Sequence, residues 1–451
     1  MNNRALRELE KVSAVALKEL EGGGEESATD LNSFISCSPQ WPELDEPALH
    51  GVAGDIVRAL APYTEADKVT LLAHMLAEYS CIIGRHSYIK LDGDDTFILF
   101  WPVVVGNTSK SRKGSGAKRI RRIYQRLDPN WTRGKHSGSL SSGEGLIYAV
   151  RDEEWGENSK GERVLKDEGV QDKRLYLVQS EFGAMLRIMA RDGNSLSGYI
   201  RDAWDGETLK PMTKGNRIQA THPHIVIVGH VTQAELLQNL TNTEMSNGFG
   251  NRFAWFCVKR SKILPFAEDP PENLTEPLIE RLRRAVQFGK QDQEVGMIKE
   301  ARTWWEALYA ELSESIPGLA GSLLDRAEAQ VRRIAALYAL MDCTSNVEVE
   351  HIYAATTLWK YSVDSVKYLY GDKVGDSISD TILDALKKGP LSDSDVSALF
   401  GGNVSATRLN KAKKLLIDQK RIFSRTEQTT GRPKKYGRLI RIKRKNRNKS
   451  I

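Results

Sequence analysis

Cysteine is scarce in this chain: there are four in 451 residues, Cys37, Cys81, Cys257 and Cys343. None are spaced as Cys-x-x-Cys and no histidine-rich motif lies near them, so neither a zinc site nor a disulfide framework is expected. Cys81 and Cys257 sit in apolar runs and read as core residues. Long apolar runs are also missing; none approaches the roughly 20 residues that span a bilayer. The N-terminus, MNNRALRELEKVSAVALKELEGG, lacks an apolar centre and carries glutamate throughout. It reads as neither a signal nor a transit peptide, and a cytoplasmic location with no membrane partner is expected.

Acidic residues are nearly absent from one end. Residues 401–451 hold 17 Lys+Arg against 2 Asp+Glu, a local net charge of +15, while the whole chain carries only +6, so the first 400 residues stand at −9. This asymmetry suggests a nucleic-acid-binding end on an otherwise near-neutral body. The plain alternative is a basic tail with no specific partner. With 40% hydrophobic and 27% charged residues the composition is that of a globular protein, and the length implies two or three domains.

Hydrophobic periodicity divides the chain. Residues 1–40 are a polar N-terminal segment, a helix followed by the flexible stretch EGGGEESATD. Residues 41–96 carry helical periodicity and the start of a sheet, with strands SYIKL and FILFWPVVVG around a turn-rich DGDD. From 97 to 270, short apolar strands (RLYLVQ, HIVIVG, FAWFCV) alternate with helical stretches, which indicates a parallel sheet covered on both faces. Residues 154–172 read as a polar surface loop. From 271 to 375 the pattern is all-helical, as in an α/β core followed by a helical lid. Residues 376–445 read as helix, short helix, turn, longer helix and a two-stranded wing around TTGRPKKYG, a winged helix with Ser392 and Ser405 as N-caps. A basic tail, 446–451, follows.

The segment WPVVVGNTSKSRKGSGAKRIRRIY runs from an apolar strand through a Gly/Ser/Thr/Lys loop into a helix. Small residues let backbone N–H groups converge on a phosphate, and the helix N-terminus adds positive potential. A lysine supplies a point charge and a hydroxyl holds Mg2+. The loop departs from G-x-x-x-x-G-K-[ST]: six residues rather than five separate Gly106 from Lys113, and Gly114 stands between Lys113 and Ser115. Lys113 is assigned to phosphate and Ser115 to Mg2+, with Gly106, Thr108, Ser109 and Gly114 lining the loop. Lys110 and Arg112 stay open as phosphate contacts, and a basic surface loop is the structural alternative.

RLYLVQSEFGAML ends a buried strand in Gln179, Ser180 and Glu181. Ligands collect at the C-terminal edge of a parallel sheet, where Glu181 can polarise an attacking water and reach Mg2+ through water. It can equally be a helix-start acid. HPHIVIVGHVTQAELL ends in His230 and Thr232. Thr232 and Glu235 make a capping box, which leaves His230 as the candidate γ-phosphate sensor. NGFGNRFAWF sets Arg252 before a strand, as an arginine finger toward a neighbouring subunit's nucleotide or as a locally paired arginine. SLSSGEGLIYAVRD, with Glu144 and Asp152, is a second phosphate-proximal loop or a helix cap, and no chemistry is assigned to it. WDGETLKPMTKGNRIQA reads as a hairpin bearing Lys210, Lys214 and Arg217, either gripping phosphates in a ring pore or solvated at the surface. In the winged helix, Arg408, Lys411, Lys413 and Lys414, with Arg432, Lys434 and Lys435 on the wing, suit DNA contact.

In order along the chain, GNTSKSRKGSG, LSSGEGLIYAVRD, QSEFGAML, LSGYIRDAWDGETL, HIVIVGHVTQAEL, NGFGNRFAWFCVKRSKILP and RAEAQVRRIAALYALMD resemble the YfjI-like family across residues 40–375. Members are phage, prophage and plasmid proteins, often joined to primase domains and described as helicase-like P-loop NTPases with a divergent Walker A loop. The resemblance implies an α/β P-loop NTPase of AAA+/RecA-like type. It implies Lys113 and Ser115 in the nucleotide loop, Glu181 as the Walker B acid, Arg252 as finger, and Arg326 or Arg332 as a lid-borne sensor. ATP and Mg2+ are the expected cofactors; DNA, further copies of the chain in a hexameric ring, and a separate primase are the expected partners. The expected activity is an ATP-dependent DNA motor, a replicative helicase or translocase of a mobile element. The rivals are a non-motor DNA-binding replication initiator and a regulatory or defence NTPase that uses nucleotide as a switch.

Overall fold

A helix that is buried on every side organises the fold. The computed structural model describes residues 40–137, 140–211, 218–314, 316, 318–371, 374, 376–418, 421–427 and 434–439. Helix α1 (Gly51–Leu60) leads to α2 (Lys68–Ile82), in which every residue from Val69 onward is buried. Asp67 caps α2 by accepting from Val69 N at 3.1 Å. Its polar residues Thr70, His74 and Glu78 are buried with the apolar ones, and α2 packs across the strands that follow. Strands β1 (Ser87–Leu91) and β2 (Asp94–Phe97) pair antiparallel. The single strand expected over FILFWPVVVG is broken: Ile98–Trp101 is buried but irregular, and Pro102 opens β3 (Pro102–Gly106), a first-residue position at which proline is tolerated.

Next come α3 (Lys113–Leu127), α4 (Pro129–Lys135), β4 (His136–Ser137), α5 (Gly143–Tyr148), β5 (Glu154–Glu157), β6 (Arg163–Asp167) and β7 (Arg174–Gln179). Then follow α6 (Phe182–Met189), α7 (Leu196–Asp205), β8 (His224–Thr232), α8 (Gln233–Asn239), α9 (Asn242–Ser246) and β9 (Ala254–Val258). Five strands pair in the order β4-β7-β8-β3-β9, every pair parallel. The chain is a mixed α/β protein with a parallel sheet, as the strand–helix alternation implies. Strands β3 and β9 are buried end to end, because helices cover both faces. Gly106 lies level with Thr232 on one side and Val258 on the other. Strand β3 is therefore internal, and the chain leaves it toward one side and returns to the other, a topological switch point. The polar stretch 154–172 is not a simple loop; it contains the β5–β6 hairpin, whose Asp167 takes a bidentate pair of bonds from Arg151 at 2.7 and 2.9 Å.

The region after residue 270 comprises α10 (Glu272–Gly289), β10 (Gln293–Glu294), β11 (Gly296–Met297), α11 (Lys299–Leu312), α12 (Leu319–Leu324), α13 (Ala327–Met341), β12 (Asn346–Val347) and α14 (Val349–Tyr370). It is not purely helical, since β10 pairs with β1 and β11 with β12. Nor does it have a core of its own: one hydrophobic core runs from Ala48 to Tyr370. Helix α14 closes the outer edge of β9. Trp255 N and Cys257 N donate to Ser362 Oγ and Ser365 Oγ at 2.9 and 3.0 Å, and Tyr361 OH donates to Cys257 O at 2.6 Å. The boundary expected at residue 270 therefore separates no two cores.

Residues beyond this point build a second, small core from Ile382, Leu386, Val396, Leu409, Leu416 and Ile422. Its elements are α15 (Ser377–Leu386), β13 (Leu391–Ser392), α16 (Asp393–Ala398), α17 (Ala406–Asp418), β14 (Ile422–Glu427) and β15 (Lys434–Leu439). The strands pair antiparallel in the order β13-β15-β14. Ser392 caps α16 through a capping box with Asp395, and Ser405 Oγ accepts from Arg408 N at 3.4 Å. No described helix is long and apolar enough to cross a membrane.

Candidate functional site

Strand β3 delivers Gly106 to the C-terminal edge of the sheet, and six residues turn the chain into α3. Thr108 opens a 3-10 turn, Ser109–Ser111, and a capping box between Thr108 and Ser111 closes it. Arg112 takes the left-handed conformation at φ 58°, and the helix begins at Lys113. A left-handed residue among right-handed ones gathers successive N–H groups on one side, the concavity that receives anions. No side chain caps α3, so its first N–H groups stay open. Gly114 and Ser115 are exposed on this first turn.

Lys113 is buried and folds back over the loop, its Nζ donating to Thr108 O at 3.3 Å. A Cβ at Gly106 would come within 2.6 Å of that Nζ and 2.5 Å of Ser111 Oγ. Only glycine leaves this room. Burial pulls the Lys113 pKa down, opposed by the charges of Glu235 and Glu181. Arg112 turns away to an ion pair with Glu65 at 2.6 Å. The Leu264 N–H and Arg260 also bind Glu65, and these contacts hold its carboxyl at about 2. Of the three basic residues of the loop, Lys113, assigned to phosphate, folds over it, while of the two left open Arg112 is engaged by Glu65 and Lys110 is exposed.

Two acids flank the lysine. Gln179, buried at the end of β7, accepts from Leu140 N at 3.0 Å. Glu181 is exposed at the N-cap position of α6 but makes no capping bond, so the helix start does not consume its carboxylate. Glu235 does cap: Thr232 Oγ1 and Thr232 N donate to it at 2.8 and 3.2 Å. Those bonds, then the charges of Arg187 and Lys113, lower its pKa. The capping box hides a second role, because the level pairing of Thr232 with Gly106 carries Glu235 toward the loop.

His230 does not fill the sensor role expected of it. Its ring is 4% exposed, and its Nε2 lies 2.8 Å from Nε2 of His74 on α2. His74 Nδ1 in turn lies 3.1 Å from the Tyr176 hydroxyl. Burial, and then Lys113, bring the His230 pKa down to about 4, so the ring is neutral at pH 7. It is a buried packing partner of α2 rather than a group offered to a phosphate. His74 was hidden from sequence reasoning by the apolar helix around it.

The arginines lie elsewhere. Arg252 ends a 3-10 turn just before β9. Ala254 pairs with Pro102, so Arg252 stands at the N-terminal edge of the sheet, roughly 15–20 Å from Gly106 at about 3.3 Å per strand residue. It is buried and ion-paired with Asp205 at the end of α7, not an exposed finger. Arg326 stands beside it, 3.8 Å from Asp205. Arg332 lies 6.0 Å from the Trp305 ring centroid, near Arg302 and Glu294. Arg326, the N-cap of α13, therefore shares the N-terminal edge of the sheet with Arg252, and Arg332, one turn and a half further along α13, faces Trp305 rather than the loop.

Among the residues assigned to DNA, Lys210 is exposed next to the isolated bridge between Leu209 and Ala220. Lys214, Arg217 and Arg432 lie outside the described residues. Arg408 is ion-paired with Asp376, and Lys413 with Asp393 at 2.7 Å. Lys411 and Lys414 are exposed on α17. Lys434 and Lys435 open β15, opposite Glu427 and Thr426. Asp152 is structural: it pairs with Lys173 at 2.8 Å and accepts from Thr221. Glu144 is an exposed first-turn residue of α5.

A separate cluster has the residue types of a metal site. Ligand atoms of His50, Asp342, Glu350 and His351 lie within 4.8 Å of one another. His50 Nε2 and His351 Nε2 approach Asp342 Oδ2 to 2.7 and 3.4 Å. His351 Nδ1, however, accepts from Glu348 N at 2.9 Å, which leaves the proton of the neutral ring on Nε2. A metal at Nε2 needs the reverse, with the Nδ1 proton facing an acceptor. The donor set does not fit a metal; it is a hydrogen-bonded clamp joining the starts of α1 and α14 to the end of α13. Gly51 at φ 55° makes room for it, since a Cβ there would fall 2.4 Å from Asp342 Oδ1. No protein-family model and no curated protein matches this chain.

Proposed function

We propose that this chain is a P-loop ATPase of AAA+/RecA-like type, akin to the YfjI-like proteins, that moves on DNA and binds it through a C-terminal winged helix. The observation that carries this reading is Lys113. It is a buried lysine at the first position of an uncapped 15-residue helix, folded over Gly106 and opposed by Glu181 and Glu235. The strand order lends support: one strand, β8, separates the loop strand from the acid-ended strand β7, as in AAA+ and RecA-type P-loop folds.

The residues at this edge fit a nucleotide and Mg2+. Bound ATP would supply the transferable phosphoryl group, and Mg2+ would neutralise its oxygens. Lys113 exchanges its bond to Thr108 O for a phosphate oxygen, and the open N–H groups of residues 113–115 orient that phosphate. Ser115, with Glu181 through water, would hold the metal. Glu181 takes the proton of the attacking water. Arg252 stands at the far edge, so any action on a nucleotide is on that of another copy in a ring. The winged-helix reading of residues 376–445 rests on the β13-β15-β14 sheet beside three helices, the net charge of +15 over residues 401–451 and the exposed Lys411 and Lys414.

DNA-stimulated ATP hydrolysis tests the motor reading. Turnover is expected to rise on adding DNA, and Glu181→Gln to abolish it while nucleotide still binds. Turnover that is absent, or indifferent to both DNA and Glu181→Gln, sinks it. For the interface, Lys411→Ala with Lys414→Ala is expected to flatten the slope of log binding constant against log salt by about two. An unchanged slope removes α17 from the DNA.

A further inference from the structure

The end of the sheet opposite the loop gathers positive charge around one indole. The guanidinium of Arg333, on α13, lies 3.5 Å from the Trp204 ring centroid; those of Arg326 and Arg252 lie at 5.0 and 5.5 Å. Arg333 is 3% exposed and Trp204 is equally buried. One carboxylate, Asp205, pairs with Arg252 and lies near Arg326, while Arg201 and Asp202, which both act on Arg252, do so with opposite sign. Three guanidiniums thus share one facing acid.

The hydrogen-bond account is equally one-sided. Nε and Nη1 of Arg333, Nε of Arg252 and Nε1 of Trp204 are all buried and have no acceptor. The unpaired acceptors on adjoining residues, Asn251 Oδ1 and Gln330 Oε1, do not reach them. Gln330 instead spends its amide on the backbone, donating to Asn251 O and Arg252 O at 3.3 and 3.0 Å and locking the Arg252 turn onto α13. Gly248, at φ 85°, leaves room for the Arg252 guanidinium; a Cβ there would stand 3.0 Å from its Nη1. Buried guanidinium groups are retained where an anion completes them. The site has a way in, because the Asp205 and Arg326 side chains are 37% and 35% exposed.

We infer that Arg252, Arg326 and Arg333, mounted on Trp204, form a binding site for a phosphate-class oxyanion. A phosphate presents several acceptor oxygens and at least one full negative charge, which matches the surplus in both donors and charge. Asp205, which pairs with Arg252 and stands 3.8 Å from Arg326, is the group the oxyanion competes with for these guanidiniums. The site stands on its own donors and does not depend on the nucleotide reading of the Lys113 loop.

The test is calorimetric titration of inorganic phosphate into the full chain carrying Lys113→Ala, with ionic strength held constant by chloride. A saturable single-site isotherm is expected. Arg333→Met in that background is expected to weaken it at least tenfold. Arg326→Gln, at the partly exposed mouth where folding is not at stake, is expected to do the same. Phosphate heat no different from chloride, or full binding in the Arg326→Gln chain, overturns the site. Metal-free ATP as a second titrant separates the sources. Binding that competes with phosphate identifies a terminal phosphate of a larger molecule, and binding of phosphate alone identifies the free ion. Because the loop lysine is absent throughout, failure here leaves the ATPase reading untouched, and the reverse holds.

Discussion

The two ends of one parallel sheet handle positive charge in opposite ways. At the C-terminal edge a single buried lysine faces two carboxylates and rests on a carbonyl of its own loop. At the N-terminal edge three guanidiniums crowd one indole and one carboxylate. The lysine's contacts are few and exchangeable, so it can leave them for a ligand at small cost. The arginines repel one another, and Arg333 is desolvated far enough to fall to about 9. Balance marks a group poised to move; surplus marks a place that is incomplete alone.

The largest effect that could break this contrast is Lys113→Ala. ATP turnover is expected to fall by roughly two to three orders of magnitude, as when one preorganised transition-state donor is removed. The urea midpoint is expected to move little, because Lys113 makes one long hydrogen bond, to Thr108 O, and its charge acts on Glu181 and Glu235, of which Glu181 is exposed. A large loss of stability would make the lysine a structural group and erase the difference between the edges. Next in size, Trp204→Ala removes the plate under the arginines and is expected to cost about 3–5 kcal/mol in urea denaturation. A loss well below that would mean the indole does not organise the cluster.

Arg333→Met sharpens the comparison further. Replacing an incompletely paired buried charge by an apolar side chain of similar length is expected to be neutral or to stabilise by about 1–4 kcal/mol in phosphate-free buffer. Strong destabilisation would show that the charge is already compensated. The smallest expected effect concerns the clamp at His50, which belongs to neither edge. Burial lowers the His50 pKa, but the bond and charge of Asp342 outweigh it and raise the pKa overall. Burial likewise raises Asp342, and the bonds from His351 and His50 outweigh that and hold it well below the carboxylate range. The clamp's stabilisation is therefore present between the unfolded pKa values, about 3.9 for Asp and about 6.5 for His. It fades as pH rises through the raised His50 pKa, and again as pH falls through that of Asp342. His50→Ala is expected to cost about 1–3 kcal/mol near pH 5.5 and clearly less above pH 8. A pH-independent cost would make the contact one of shape alone.

Much of the sheet was legible because its strands are short, apolar and regularly spaced; HIVIVG and FAWFCV could hardly be anything else. The order of those strands was not, since pairing between residues 102 and 258 leaves no local trace. That order decides the site. It sets His230 against His74 in the core, brings Glu235 toward Lys113, and puts Arg252 at the far edge with Arg326 and Arg333, some 75 residues on in sequence. That the residues after 270 share the core of the sheet was not legible either, for a related reason. A helix that closes a sheet edge and a helix that closes a ligand site have the same periodicity, and only Ser362 and Ser365, small hydroxyls on the buried face of the helix, hint at the former. The loop itself was readable despite its irregular spacing, because Lys113 still opens the helix.

The serines of α14 have a consequence for assembly. By answering the outward N–H groups of β9, they deny the sheet any templating edge on that side, so no strand from another molecule can be zipped onto it. Copies of this chain that meet along β9 must do so by side chains and helix surfaces, and the α14 region travels with the sheet as one block. With one continuous core running from Ala48 to Tyr370, residue 270 is not a hinge between two separately packed bodies.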